Sequence, residues 1–73
     1  MFSILQLGDI IRILAPSNKI FHENTFYIRY IDPNDCMEIV HVTSLIIHTI
    51  PLKKAKILEP SIKNILIVNR SIH

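Results

Sequence analysis

The residues of this chain with reactive side chains are four histidines, one cysteine and a few aspartates: His22, His41, His48 and His73, Cys36, and Asp9 and Asp32 among the acids. A metal centre needs three or four converging ligands. The sequence has no Cys-x-x-Cys and no His-x-x-x-His spacing. His41 and His48 fall on neighbouring strand candidates and can approach across a sheet, but Cys36 sits at an odd offset from His41 and takes the other face of a strand. No metal and no cofactor is therefore expected. Cys36 beside a histidine would be a nucleophile only with a base in hydrogen-bond reach and donors for an oxyanion. The one glycine, Gly8, supplies no flexible loop to hold such donors. Asp9 and Asp32 resemble an acid/base pair on paper, yet the first stands at a strand entrance and the second begins a turn. One glycine also excludes the P-loop and the Gly-x-Gly-x-x-Gly cradle. The expectation is a chain that is not an enzyme and has no small-molecule substrate.

Binding surfaces are the better use for what remains. Tyr27, Arg29 and Tyr30 lie close together in one strand candidate and are the residues expected to contact a protein partner. A regular strand cannot turn both tyrosines inward, so one of them is expected at the surface. Phe26 is assigned to the core. Cage recognition of a methylated cation would need converging aromatic rings, and the chain has no Trp and only five aromatic residues of the Phe and Tyr type. The formal net charge is +2, but it is unevenly spread. Residues 1–49 carry −2 and residues 50–73 carry +4. Lys53, Lys54, Lys56, Lys63 and Arg70 make the C-terminal third basic and are the candidates for nucleic-acid phosphates. No aromatic residue lies among them to stack a base, and the same cations would serve as a solubilising face.

The elements that must position these residues read as strands. The chain has 16 Ile, 7 Leu, 3 Val and 3 Phe in 73 residues, which excludes a disordered tail. β-branched residues far outnumber the two alanines, a composition suited to pleated sheet. Strands are expected at residues 9–15, 25–31, 36–42, 45–50 and 65–69. Ile11 and Ile13 would share one face of the first, with Ile10, Arg12 and Leu14 on the other. In the second, Phe26, Ile28 and Tyr30 would oppose Tyr27, Arg29 and Ile31. Residues 16–24 read as a loop whose Ile20 and Phe21 fold back onto the core. Asp32-Pro33-Asn34-Asp35 is a turn joining strands two and three as a hairpin, because Pro presets φ and Asp bonds the backbone ahead. Thr43-Ser44 makes a shorter break, and Pro51 ends strand four. Residues 53–58 read as a helical turn or an extended basic segment, with Ser61 available to cap a short helix. The expected fold is all-β, a small five-stranded barrel with a short helical or 3-10 turn near the C-terminus.

Size sets further limits. A domain of this length buries only about 60–65% of its unfolded surface, so its stability is marginal. Its single Cys closes no intramolecular disulfide, which argues against a stapled secreted miniprotein. The longest apolar runs are far shorter than the roughly 20 residues of a membrane-spanning helix. The N-terminus lacks basic residues, and Gln6 and Asp9 interrupt its apolar stretch, so no cleavable leader is expected. The chain is expected to be one intracellular domain, not secreted and without membrane contact.

The run Gly8-Asp9-Ile10-Ile11-Arg12-Ile13, followed by Thr25-Phe26-Tyr27-Ile28-Arg29-Tyr30-Ile31-Asp32, resembles the opening strands of SH3-like barrels of the Tudor and KOW type. A closer likeness covers most of the chain. Leu7 to Pro16, His22 to Asp32, and the run Ser-Ile-Lys-Asn-Ile-Leu-Ile-Val-Asn-Arg ending at Arg70 are similar to the N-terminal SH3-like domain of an uncharacterised protein family of nucleocytoplasmic large DNA viruses. Members typically read Leu-Gly-Asp-Ile-Ile-x-Ile-x-Ala-Pro, then Phe-x-Ile-x-Tyr-Ile-Asp, then Ser-Ile-x-x-Ile-x-Leu-x-x-Arg. They usually continue past the final Arg into a Gly-Tyr-Ala-rich segment, and they carry a glycine in the region that is 51–60 here. This chain has no glycine there. The resemblance implies a single SH3-like domain over residues 1–73, either cut from a longer protein or a short relative, acting in the host cytoplasm, in a viral factory or in the virion. It carries over no catalytic residue.

Two functions follow as expectations. The first is a non-enzymatic viral interaction module with a protein partner or self-association, resting on Tyr27, Arg29 and Tyr30. The second is a sequence-independent nucleic-acid-binding barrel in viral transcription or genome handling, resting on the basic C-terminal third.

Overall fold

A computed structural model of the chain describes residues 5–70. Its strands are β1 (Ile10–Leu14), β2 (Thr25–Ile31), β3 (Cys36–His41), β4 (Ile47–Lys53), β5 (Lys56–Ile57) and β6 (Asn64–Asn69). They form one antiparallel sheet in the order β5-β4-β3-β2-β1-β6, curled into a half-barrel. The fold is thus all-β, as expected, but with six strands among the described residues rather than five and no helix.

The difference arises at residues 51–58, where Pro51 is expected to end a strand and residues 53–58 to form a helical turn or an extended basic segment; the extended alternative is the one found. Pro51 lies inside β4 instead of ending it. Its carbonyl accepts from Leu58, while the next N–H, that of Leu52, donates to Asp35. Backbone groups alternate sides along a strand, so the absent Pro51 N–H would have faced away from β3, where no ladder bond is lost. Lys54 and Ala55 then turn the chain at φ 50° and 63°. Two consecutive positive φ values make the tight hairpin turn that best matches strand twist, normally built from Asn-Gly. Its tip is tied down, because Lys54 N–H donates to Asn34 Oδ1 at 3.2 Å and Ala55 N–H to the Pro33 carbonyl at 2.9 Å. A Cβ in the left-handed region costs about 1–2 kcal/mol. Ala55→Gly should therefore stabilise the domain by roughly 1 kcal/mol and raise its melting temperature by about 4–8 °C in a thermal scan.

The other turns follow their residues. Gln6-Leu7-Gly8-Asp9 closes with Asp9 N–H on the Gln6 carbonyl, and Gly8 supplies the required φ of 85°. Asp32 Oδ1 accepts from Asn34 N–H, and Asp35 N–H returns to the Asp32 carbonyl, as the hairpin reading anticipated. Ser61 caps no helix. Its N–H and hydroxyl both donate to Glu59 Oε2, which holds the Glu59 carboxyl below its ordinary range. The loop between β1 and β2 folds back along β1, with Ala15 N–H on His22 Nδ1 and Glu23 N–H on the Ile13 carbonyl. This buries Phe21 as expected but leaves Ile20 61% exposed, against expectation.

The inner face alternates as pleated sheet dictates. Ile11, Ile13, Phe26, Ile28, Met37, Ile39 and Ile50 form a core closed to solvent, with Leu52 and Ile65 at its margin. Asp9 is the one buried charged residue among those described. Its Oδ2 accepts from Gln6 N–H at 2.9 Å and from Arg70 Nη2 at 3.4 Å.

Candidate functional site

The outer face of β2 and β3 gathers the residues assigned to protein contact. Pairing runs Phe26↔His41, Tyr27↔Val40 and Ile28↔Ile39, then shifts so that Tyr30 pairs Glu38 and Ile31 pairs Met37. Arg29 is the extra residue of a β-bulge. A bulge re-aims the side chains that follow it. Tyr30 is therefore turned out and Ile31 inward against the core, the reverse of a regular strand. Both tyrosines are exposed, not one. Tyr27, Arg29 and Tyr30 share one face, and Arg29 Nε meets Glu38 Oε1 at 2.9 Å.

Register supplies a feature that no residue type announces. Ile10 pairs Tyr27, Tyr27 pairs Val40, and Val40 pairs Ile47. An apolar row thus crosses four strands on the outer face. Val40 is only 3% exposed although it points away from the core, whereas Tyr27 and Ile47 are 36% and 48% exposed. Arg29, Tyr30, Glu38 and Thr49 border the row on one side; on the other, Arg12 and Thr25 stand beside the exposed apolar residues Leu66, paired with Arg12, and Val42, bonded to Thr25. Apolar residues bordered by polar ones are one feature of a protein interface. The sequence shows Ile39-Val40 as a bare apolar pair. Only the pairing reveals that the second member faces outward.

The local electrostatics keep this face chemically quiet. The Tyr30 hydroxyl is pushed up, first by the negative charge of Asp32, then by burial and by Cys36, Asp35 and Glu38. It stays a neutral donor. Burial, then the charge and hydrogen bond of Asp35, push the Cys36 thiol up. Thiolate is the reactive form, so this cysteine is disfavoured as a nucleophile.

The basic residues divide between the two ends of the strand order. Lys53 and Lys56 pair across the β4–β5 hairpin, with Lys54 at its tip. The tip's backbone bonds to Pro33 and Asn34 dock it on the 32–35 turn, which carries Asp32 and Asp35. Lys63 precedes β6 and donates from Nζ to the Pro60 carbonyl at 3.2 Å. Arg70 follows β6 and is ion-paired with Asp9.

The inner face opens at one end into a cleft of about 330 Å³ lined by Ile20, Asn24, His41, Ser44, Ile46 and His48. His41 and His48 both reach the inner face, with ring centroids 5.4 and 5.7 Å from that of Phe26. Ser44 N–H donates to His41 Nδ1 at 3.1 Å. No group of three or more His, Cys, Asp or Glu able to hold a metal occurs among the described residues. His73 lies outside them. Nor do the described residues include a helix long and apolar enough to cross a membrane. No protein-family model matches the chain, and no curated protein and no solved structure matches it either.

Proposed function

We propose that this chain is a non-enzymatic SH3-like module of a viral protein, and that it mediates protein–protein contact through the outer face of β2 and β3. The observation that carries the reading is the apolar row Ile10-Tyr27-Val40-Ile47, with Tyr27 and Ile47 exposed, beside the polar residues Arg29, Tyr30, Glu38 and Thr49. Exposed apolar residues grouped beside polar ones mark interaction sites. The SH3-like assignment draws support from the strand order, in which the last strand returns beside the first and the middle strands form a meander. Its viral setting rests on the sequence resemblance.

The phosphate-binding alternative has less support. Two of its five cations are engaged, Arg70 with Asp9 and Lys63 with a carbonyl, and the other three lie on a hairpin whose tip is bonded to the acidic 32–35 turn. The test is a photo-crosslinking phenylalanine analogue placed at Tyr27 of the full chain in cells, with the same group at Lys53 as control. Protein adducts from position 27 alone are the expected result. Oligonucleotide binding by the purified chain that falls by orders of magnitude between about 50 and 200 mM salt, and is lost in K53E/K54E, would replace this reading with the nucleic-acid one.

A further inference from the structure

We infer that the partner of the outer face is a second copy of this chain, packed about a two-fold axis that runs along the strands between β2 and β3. The inference rests on the protein-contact reading and goes one step further, because the face is self-complementary. Across the strands the row reads Ile10 on β1, Tyr27 on β2, Val40 on β3 and Ile47 on β4. Rotation by 180° about an axis in the β2–β3 gap exchanges β2 with β3 and β1 with β4. It lays Tyr27 over the Val40 position of the second copy and Ile10 over the Ile47 position. Each Tyr27 ring would cover the other copy's Val40, itself only 3% exposed within its own sheet, while the curl carries Ile10 and Ile47 back from the axis.

The charges obey the same operation. Arg29 on β2 and Glu38 on β3 sit beside the row as a 2.9 Å pair, 49% and 31% exposed. The axis brings each Arg29 over the other copy's Glu38, so two ion pairs become a ring of four alternating charges. A two-fold interface uses one patch twice and must therefore complement itself. A face carrying one sign of charge would repel its copy, whereas this one carries a balanced pair on either side of the axis. Because the sheet curls, the closest approach is along β2 and β3, where Tyr27, Val40, Arg29 and Glu38 lie.

The experiment is sedimentation equilibrium on the full chain with a charge exchange. The wild type is expected at twice its 8.5 kDa mass at high micromolar concentration. R29E and E38R should each be monomeric, because like charges then face each other across the axis. Their equimolar mixture should recover the doubled mass, since one copy brings two carboxylates and the other two guanidinium groups. A wild type that stays monomeric, or a mixture that fails to recover while both variants keep the wild-type melting profile, overturns the second copy as partner. Photo-crosslinking at position 27 separates this failure from failure of the parent reading. Adducts to other proteins without self-adducts leave the contact face standing and remove the homodimer. No adduct of any kind removes both.

Discussion

Alanine in place of Asp9 should lower the melting temperature by roughly 10–20 °C, the equivalent of about 2–3 kcal/mol in a domain of this size. The Asp9 side chain is wholly inaccessible to solvent, and a buried carboxylate is tolerable only when its acceptors are used. Here Oδ2 receives the Gln6 N–H and the Arg70 guanidinium. Those two bonds fasten the N-terminal turn and the end of β6 to the entrance of β1. Deleting the carboxylate releases both chain ends and leaves the Gln6 amide without that acceptor. The arginine itself is 42% exposed, so its own loss of a partner is softened by water. Asp9→Asn keeps an acceptor for Gln6 and should lose less than Asp9→Ala. Arg70→Met should act in the same direction by stranding a buried charge. Thermal scans followed by circular dichroism measure all three. A shift of only a degree or two for Asp9→Ala would show that the carboxylate does not hold the two ends. The result also bears on function, since an Arg70 that supports Asp9 should affect stability when replaced and leave oligonucleotide affinity unchanged.

Phe26→Ala is expected to cost more, about 3–5 kcal/mol. Phe26 has no solvent exposure and joins the β1–β2 core to the cleft end of the half-barrel. Its ring lies edge-on to Phe21, His41 and His48, with centroids 6.0, 5.4 and 5.7 Å away. Truncation to a methyl removes a whole ring from a site bounded by rigid strands, which cannot collapse to fill it. The total stability of a 73-residue domain is on the order of 4–11 kcal/mol. The variant should therefore populate unfolded chain measurably in buffer, with its urea midpoint lowered by about 2–3 M. Phe26→Leu retains most of the volume and should move the midpoint far less. Equal midpoints for Phe26→Ala and the wild type would show that the ring is not an anchor of the core.

Most of the sheet is legible in the sequence. The burial of Ile11 and Ile13, with Ile10, Arg12 and Leu14 outward, follows from alternation alone, and the 32–35 turn follows from Asp-Pro-Asn-Asp. Strand two was placed at its observed bounds, yet its faces were misread beyond Ile28. A bulge has no residue signature when the extra residue is an arginine, because its cause lies in how β2 fits β3. At 51–58 the sequence leaves a helical turn and an extended segment both open, and the choice rests on distant contacts. Lys54-Ala55 is poor chemistry for a tight hairpin turn, and the tip is held in place by Pro33 and Asn34, about twenty residues earlier in the chain.

The candidate site divides the same way. Composition and periodicity by themselves determined an all-β domain with an isoleucine core and a basic C-terminal third, because these depend on side-chain type and on a backbone period of two. They also placed Tyr27, Arg29 and Tyr30 on one short stretch. Only the tertiary structure decided that both tyrosines face outward, that Val40 and Ile47 join them in one row, and that Arg70 is committed to Asp9. Those facts depend on register and on contacts between distant residues. A shift of a single residue in pairing moves a side chain from one face of a sheet to the other, and a local pattern carries no record of such a shift.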